Sequence, residues 1–405
     1  MRYTKFYISN YKAIEKATID LTEEGLVLLL GVNESGKTSI LRAIESFHYI
    51  NDPEGDDVLE KYFSGIRNKR EIDSQACIKA ELTFTASDIV TLKKLSKKTF
   101  YKELLNSKNN KFVIERVFEY KNATYIKNEY RIYTSSRKYE INSELARRIL
   151  EHAPLIQYYE DFKDKIPDYI SIEEGKQYFD DEWKSVIEGL FYHANPNVSV
   201  TKYLGINDPN TRTSILNKVN IELNEQFTNR WNTKLKGNKT ITSVNLNYDE
   251  PSALFSFTVV GQDKSTVFSV AERSKGALWY LSFLLKTEFR KRHLRSKAGK
   301  TLYLIDEPAS NLHSSAQETM VQDFRTLASD SNVIYTTHSQ YLIDKENLSN
   351  VYIVKNVNSK ISVQKYFDYV SGKSIKTSYY QPIIDALEIQ PFNLDVSWNK
   401  VLLVE

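Results

Sequence analysis

Long apolar runs are what this sequence most plainly lacks. Its longest aliphatic stretches, LVLLL (Leu26 to Leu30) and ALWYLSFLL (Ala277 to Leu285), fall far short of the roughly 20 residues a membrane span requires. No transmembrane helix and no membrane partner are therefore expected. The start, MRYTKFYISNYK, alternates polar and apolar residues and has no apolar signal-peptide core. One cysteine, Cys77, excludes an internal disulfide, and together these absences point to a cytoplasmic setting. Internal repeats and low-complexity tracts are missing too. Charge of one sign is also scarce: 55 Lys and Arg against 52 Asp and Glu leave +3, too little to argue for a nucleic-acid partner by its sum alone.

What is present is the composition of a folded globular protein, 405 residues with 41% hydrophobic, 26% charged and 12% aromatic content, long enough for two or three domains. Basic residues cluster twice, from Lys93 to Lys111 (Lys93, Lys94, Lys97, Lys98, Lys102, Lys108, Lys111) and from Lys286 to Lys300 (Lys286, Arg290, Lys291, Arg292, Arg295, Lys297, Lys300). Each fits a solvated helix face or loop, or a phosphate-contacting patch, and neither decides the function.

Alternation marks residues 4–10 and 16–21 as strands leading into LVLLL, whose unbroken apolar run suits a strand covered on both faces. From Thr38, apolar residues Ile40, Leu41, Ile44 and Phe47 recur at helical spacing. The loop between, Gly31-Val-Asn33-Glu34-Ser35-Gly36-Lys37-Thr38, fits G-x-x-x-x-G-K-S/T completely and lies between a strand and a helix, as the motif requires. Gly31 and Gly36 let the backbone wrap a phosphate, with successive N–H groups and a helix N-terminus pointing at it. Lys37 can reach the β- and γ-phosphates, and the Thr38 hydroxyl can bind Mg²⁺. The run Gly31 to Ser39 is thus the expected ATP-binding segment.

Downstream, LYLI runs out into two carboxylates, Asp306 and Glu307. The first can hold Mg²⁺ through water, while the next points away and can act as general base on the attacking water. A third apolar strand, VIYTT, ends at His338, a candidate γ-phosphate sensor. Before the long apolar helix stands Ala271-Glu-Arg-Ser274-Lys275-Gly276, a hydroxyl and backbone N–H groups at a helix N-terminus that can bind an anion, or else an ordinary Ser274 cap.

With Ala309-Ser310-Asn311-Leu312-His313, these stretches resemble the ATP-binding-cassette ATPases in order and spacing. Ser274 and Gly276 match that group's signature turn, and Lys275 departs from the glycine common in transporters. The resemblance implies an α/β fold, ABC-type (RecF/Rad50-like) with a P-loop, and an ATP site completed by the signature of a second copy, hence a homodimer. Ile8-Ser-Asn10-Tyr11-Lys12 looks like the N-F-R/K-S/G start of chromosome-maintenance and repair ATPases, while the lack of heptads excludes a long coiled-coil arm.

The chain reads as an early lobe (1–165), a helical insert (166–237), a second lobe (238–398) and a stub of a terminal strand (399–405), ending KVLLVE. This plan is similar to the overcoming lysogenization defect (OLD) family, whose members join such an ATPase to a Toprim nuclease with a first strand reading L-L-V-E-G. The likeness implies that the insert pairs two chains and that Glu405 is the first metal ligand of a nuclease. It also implies partners in DNA and in a defence effector or regulator, in anti-phage defence. One carboxylate cannot hold the ions of phosphodiester cleavage, so the 405-residue chain is expected to hydrolyse ATP without cutting DNA. The alternative is an ATP-switched, RecF-like scaffold that holds DNA or an effector.

Overall fold

The computed structural model describes residues 1–21, 25–86, 111–133, 139–160, 166–234, 242–261, 263–270, 275–289, 301–310 and 312–371, with isolated positions beyond these. Much of both basic clusters, the signature residue Ser274 and the terminal KVLLVE with Glu405 lie outside the described residues.

One 12-stranded sheet organises the chain. Its antiparallel half holds β1 (Arg2–Tyr11), β2 (Ile14–Asp20), β4 (Ser74–Thr83), β5 (Lys111–Lys121), β6 (Thr124–Tyr133) and β7 (Tyr139–Ile141). Its parallel half holds β3 (Leu26–Leu30), β8 (Leu155–Glu160), β12 (Thr301–Asp306), β13 (Asn332–Thr337) and β14 (Val351–Val357). The order is β7-β6-β5-β4-β1-β2-β15-β14-β3-β13-β12-β8, where β15 (Lys360–Lys365) joins the halves. It pairs antiparallel with β14 and parallel with β2. The turn from β14 to β15 is two residues, Asn358 and Ser359, both with positive φ, the conformation that matches the twist of a tight hairpin. Ranges 1–165 and 238–398 therefore interleave within a single sheet.

β3, β12 and β13 are buried at every residue. The reason is a helical layer on each face, so alternate residues of one strand enter different cores. Val27, Leu29, Leu302, Leu304 and Ile334 join one cluster with α1 (Lys37–Glu45), α2 (Asp56–Ser64) and α3 (Ser143–Leu150). Leu26, Leu28, Leu30, Tyr303, Ile305, Val333 and Tyr335 join the other. That second cluster also takes α4 (Asp181–Ala194), α5 (Val200–Leu204), α6 (Pro209–Lys234), α7 (Lys275–Leu284) and α8 (Ser314–Asp330). No helix among the described residues is long and apolar enough to cross a membrane.

The helices of range 166–237 are thus packed inward, with Trp183, Val186, Leu190, Val219, Leu223 and Phe227 sharing a core with a three-stranded sheet, β9 (Ser243–Asp249), β10 (Leu254–Val260) and β11 (Val267–Ser269). β9 is an edge of that sheet, and α6 covers it with two asparagines one turn apart. Asn220 Nδ2 donates to Leu246 O at 3.1 Å and its Oδ1 accepts from Leu246 N at 2.7 Å. Asn224 does the same for Val244, at 2.7 and 2.8 Å. Side-chain amides here replace a neighbouring strand and blunt an edge that would otherwise recruit one.

The far end of α1 is fixed by buried polar groups. Arg116, fully buried, donates to both Asp52 carboxylate oxygens at 2.8 and 2.6 Å, to Ser46 O at 2.9 Å and to Asn128 Oδ1 at 3.1 Å. His48 beside it donates from Nε2 to Leu150 O at 3.1 Å and accepts at Nδ1 from Ile50 N at 3.3 Å, a pattern that suits the neutral ring. Burial pushes its pKa down from 6.5 to about 4. Above pH 6.5 neither state protonates, so this stability is complete; as pH falls toward 4 the unfolded chain takes a proton that the native one refuses. The pH 6.5 to 4 interval should therefore remove on the order of 3 kcal/mol. Denaturant titrations across that range should show a flatter profile for His48→Asn than for the parent, and parallel profiles would contradict the assignment.

Candidate functional site

Three parallel neighbours, β3, β13 and β12, end on the same edge of the sheet. Leu30 lies in register with Thr337, and Tyr335 with Ile305, so whatever follows each strand meets at one crevice, where open α/β sheets place their sites. β3 delivers the glycine-rich loop, β12 delivers Asp306 and Glu307, and β13 delivers Thr336 and His338.

The loop rests on the β14–β15 hairpin. A Cβ at Gly31 would lie 2.4 Å from Val354 O and 2.7 Å from Ser35 Oγ. Gly36 has φ +103°, and a Cβ there would lie 2.3 Å from Ile361 Cδ1, so close approach demands glycine at 31, and backbone shape as well as close approach demands it at 36. Glu34 also has positive φ, and its carbonyl accepts from Asn356 Nδ2 at 3.2 Å. Asn33, Glu34 and Thr38 are exposed and Ser39 is half-buried, while Ser35 is buried with its hydroxyl unpartnered.

Lys37 opens α1 and is 4% exposed. Its ammonium donates to Gly31 O at 2.7 Å and Val32 O at 2.9 Å, and it pairs with Glu307 Oε1 at 2.9 Å. Glu307 Oε2 lies 2.6 Å from His338 Nδ1. Glu307 sits at φ 49°, an uncommon conformation for a residue with a Cβ, and its N–H donates to Thr336 Oγ1 at 2.8 Å. That hydroxyl donates in turn to Asp306 Oδ1 at 2.7 Å, and Tyr158 OH on β8 donates to Asp306 Oδ2 at 2.8 Å. Burial and the charge of Asp306 push the Tyr158 pKa far up, so the phenol keeps its proton and stays a donor. Gln317 of α8 bridges the loops after β12 and β13, donating to Ala309 O at 2.9 Å and accepting from Ser339 Oγ at 2.7 Å.

The structure thus gathers Gly31 to Ser39, Asp306, Glu307 and His338 into one crevice. Of the signature, Gly276 is buried in the first turn of α7, and Lys275 opens that helix. Sequence reasoning passed over Tyr158, Gln317 and Asn356, which belong to no motif, and over Thr336, which stands inside the VIYTT run. Among the described residues no group of three or more His, Cys, Asp or Glu could hold a metal by itself. Asp306 and the Thr38 hydroxyl nevertheless fit Mg²⁺, which commonly takes one or two protein oxygens and fills its shell with phosphate and water. The cradle that tolerates no Cβ and the unpartnered Ser35 hydroxyl fit a phosphate group.

The family model described as "AAA ATPase domain" matches residues 1–343. The fold is similar to an Smc head bound to the C-winged helix domain of ScpA, with TM-score 0.56 and 12% identity over 92% of this chain and 100% of that one. It is also similar to the Pyrococcus furiosus Smc head domain with an extended coiled coil bound to the C-terminal domain of ScpA, with TM-score 0.53 and 13% identity over 91% and 98%. The architecture is that of an α/β ABC-type ATPase head. A segment of 82 residues is 30% identical to the uncharacterized protein MJECL43 of Methanocaldococcus jannaschii, spanning about a fifth of each chain.

Thr336 is fully buried and serves both carboxylate residues at once. Thr336→Val keeps the shape and removes the hydroxyl, leaving the Glu307 N–H and one Asp306 oxygen without that partner. Denaturant titration should show a loss of about 1–3 kcal/mol; unchanged stability would mean that water replaces the hydroxyl freely.

Proposed function

Because the chain belongs to this family of AAA ATPase domains, we propose that it hydrolyses ATP in the crevice where β3, β12 and β13 end, and that the cycle opens and closes two copies of the chain on one another. The observation that carries this is the unbroken line Lys37, Glu307, His338, with contacts of 2.9 and 2.6 Å.

Loop N–H groups and Lys37 bind the phosphates, Lys37 exchanging its carbonyl and carboxylate contacts for β- and γ-phosphate oxygens. That exchange frees Glu307 Oε1 to take a proton from the attacking water, while His338 keeps Oε2 in place. Water adds to the γ-phosphorus, the bond to the bridging oxygen breaks, and ADP leaves. Mg²⁺ held by Thr38 and Asp306 would neutralise charge on the transferring phosphoryl group. Ser274, Lys275 and Gly276 of a second copy complete the site around the γ-phosphate, and the helices of 166–237 supply a standing contact between copies.

Beyond ATP hydrolysis, the plan of the sequence supports control of a Toprim-type DNA nuclease in anti-phage defence. The likeness to Smc heads favours a second reading, an ATP-switched scaffold that docks a partner protein, as those heads do with ScpA domains. A Mg²⁺-dependent nuclease assay separates them: a chain extended past Glu405 cuts DNA only under the first, and robust cutting by the 405-residue chain would contradict the expectation that it hydrolyses ATP alone.

Glu307→Gln should slow ATP turnover about 10²- to 10⁴-fold while nucleotide still binds, trapping two copies together in size-exclusion chromatography. Parental turnover would remove Glu307 as the base. Lys37→Ala should abolish nucleotide binding by isothermal titration, and retained affinity would count against the loop.

A further inference from the structure

The carboxylate of Asp306 is gripped from both sides by strands that flank its own. One grip, the Thr336 hydroxyl at 2.7 Å, comes from motif-bearing β13; the other, Tyr158 OH at 2.8 Å, comes from β8, which carries no motif. Tyr158 is itself clamped. The Arg42 guanidinium carbon lies 3.5 Å from the centre of its ring, close contact for a cation on an aromatic face. Arg42 also donates to Glu160 Oε2 at 2.9 Å, at the end of the same strand, and to Glu45 Oε2 at 2.8 Å on its own helix. These carboxylates and the ring hold the guanidinium in its charged form against the effect of burial. Arg42 stands on α1, the helix that Lys37 opens. A path of direct contacts therefore runs from the helix after the phosphate loop, through a stacked pair, to the second oxygen of the carboxylate.

We propose that Tyr158 is a positioning residue for divalent-metal binding by Asp306, and that Arg42, stacked on its ring, ties that carboxylate to the phosphate-loop helix. Asp306 is 5% exposed, and with both oxygens accepting hydroxyl hydrogen bonds it has lost its rotation before a metal arrives. Each oxygen keeps a second lone pair for the ion or its water. A ligand ordered in advance binds more tightly than one that must be ordered on binding, which is how partners behind a ligand tune metal affinity. β8 ends at Glu160, which lies in register with Asp306, so the same pair also fixes the end of β8 beside the metal carboxylate.

The inference rests on Asp306 being a metal ligand of the ATPase. Its test is Tyr158→Phe in the full chain, which removes one oxygen and keeps the ring under Arg42. Mn²⁺ binding is followed by the electron paramagnetic resonance signal of the free ion in the presence of a non-hydrolysable ATP analogue, beside the metal dependence of ATP turnover. Nucleotide affinity in EDTA and the melting temperature are the controls. The expected result is a Mn²⁺ half-saturation point raised by about 10- to 100-fold, with nucleotide affinity in EDTA near the parent's and a melting temperature lowered by no more than about a few degrees. Arg42→Lys keeps the charge but not the planar stack, and it should move the metal curve in the same direction by less. A Tyr158→Phe curve that overlays the parent's overturns the proposal, as does an equal loss of metal and EDTA nucleotide affinity, which would mark a merely structural residue. If Tyr158→Phe does not fold, Arg42→Lys decides by the same curve. Asp306→Asn separates the two levels: parental Mn²⁺ affinity there removes Asp306 as ligand, whereas weakened affinity there with an unmoved Tyr158→Phe curve removes only Tyr158.

Discussion

The 2.9 Å pair between Lys37 and Glu307 depends on three strands lying side by side in parallel, β3 next to β13 next to β12. These strands come from opposite ends of the chain, and nothing local brings them together. Their register sets which residues emerge at the crevice: a slip of one residue in β12 would turn Asp306 to the other face and Glu307 away from Lys37. Burial on both faces is what fixes that register, since each strand feeds alternate residues into two separate cores. The chemistry of the crevice is thus secured by apolar packing some distance from it.

Polar groups then refine what packing has placed. Asp306 is buried, a costly position for a carboxylate without partners, and two hydroxyls from the flanking strands meet it. Glu307 is held in an uncommon backbone conformation by the Thr336 hydroxyl. Strain of this kind persists only where surroundings over-determine it, and it collects at functional positions. On the other side of the crevice, the β14–β15 hairpin presses so closely under the phosphate loop that neither Gly31 nor Gly36 could carry a side chain. The hairpin joins the antiparallel half of the sheet to the parallel half, so the loop sits where the two halves meet.

Much of this was legible in the sequence, for definite reasons. LVLLL, LYLI and VIYTT are unbroken apolar runs, the mark of strands covered on both faces, and each ends in residues of the site. The phosphate-loop spacing carries its own strand-loop-helix context. Other parts could not be read. Tyr158 lies in LIQYYE, a strand whose importance comes from pairing with β12, a contact that no local pattern encodes. The hairpin under the loop had a signal, the polar pair Asn358 and Ser359 between two strand-like runs, but nothing that tied it to Gly31. For the range 166–237, helical spacing says that one face is apolar and not what that face will meet. Here it meets β9, β10 and α7 within the same molecule.

In the proposed mechanism everything turns on Lys37 and Glu307 trading partners when nucleotide binds. A crystal structure of the chain with Mg²⁺ and a non-hydrolysable ATP analogue tests this directly. The expected result has Lys37 Nζ on β- and γ-phosphate oxygens, its pair with Glu307 broken, and Glu307 still held by His338 facing the γ-phosphate. A nucleotide bound with the Lys37–Glu307 pair intact, or bound away from this crevice, would contradict the claim.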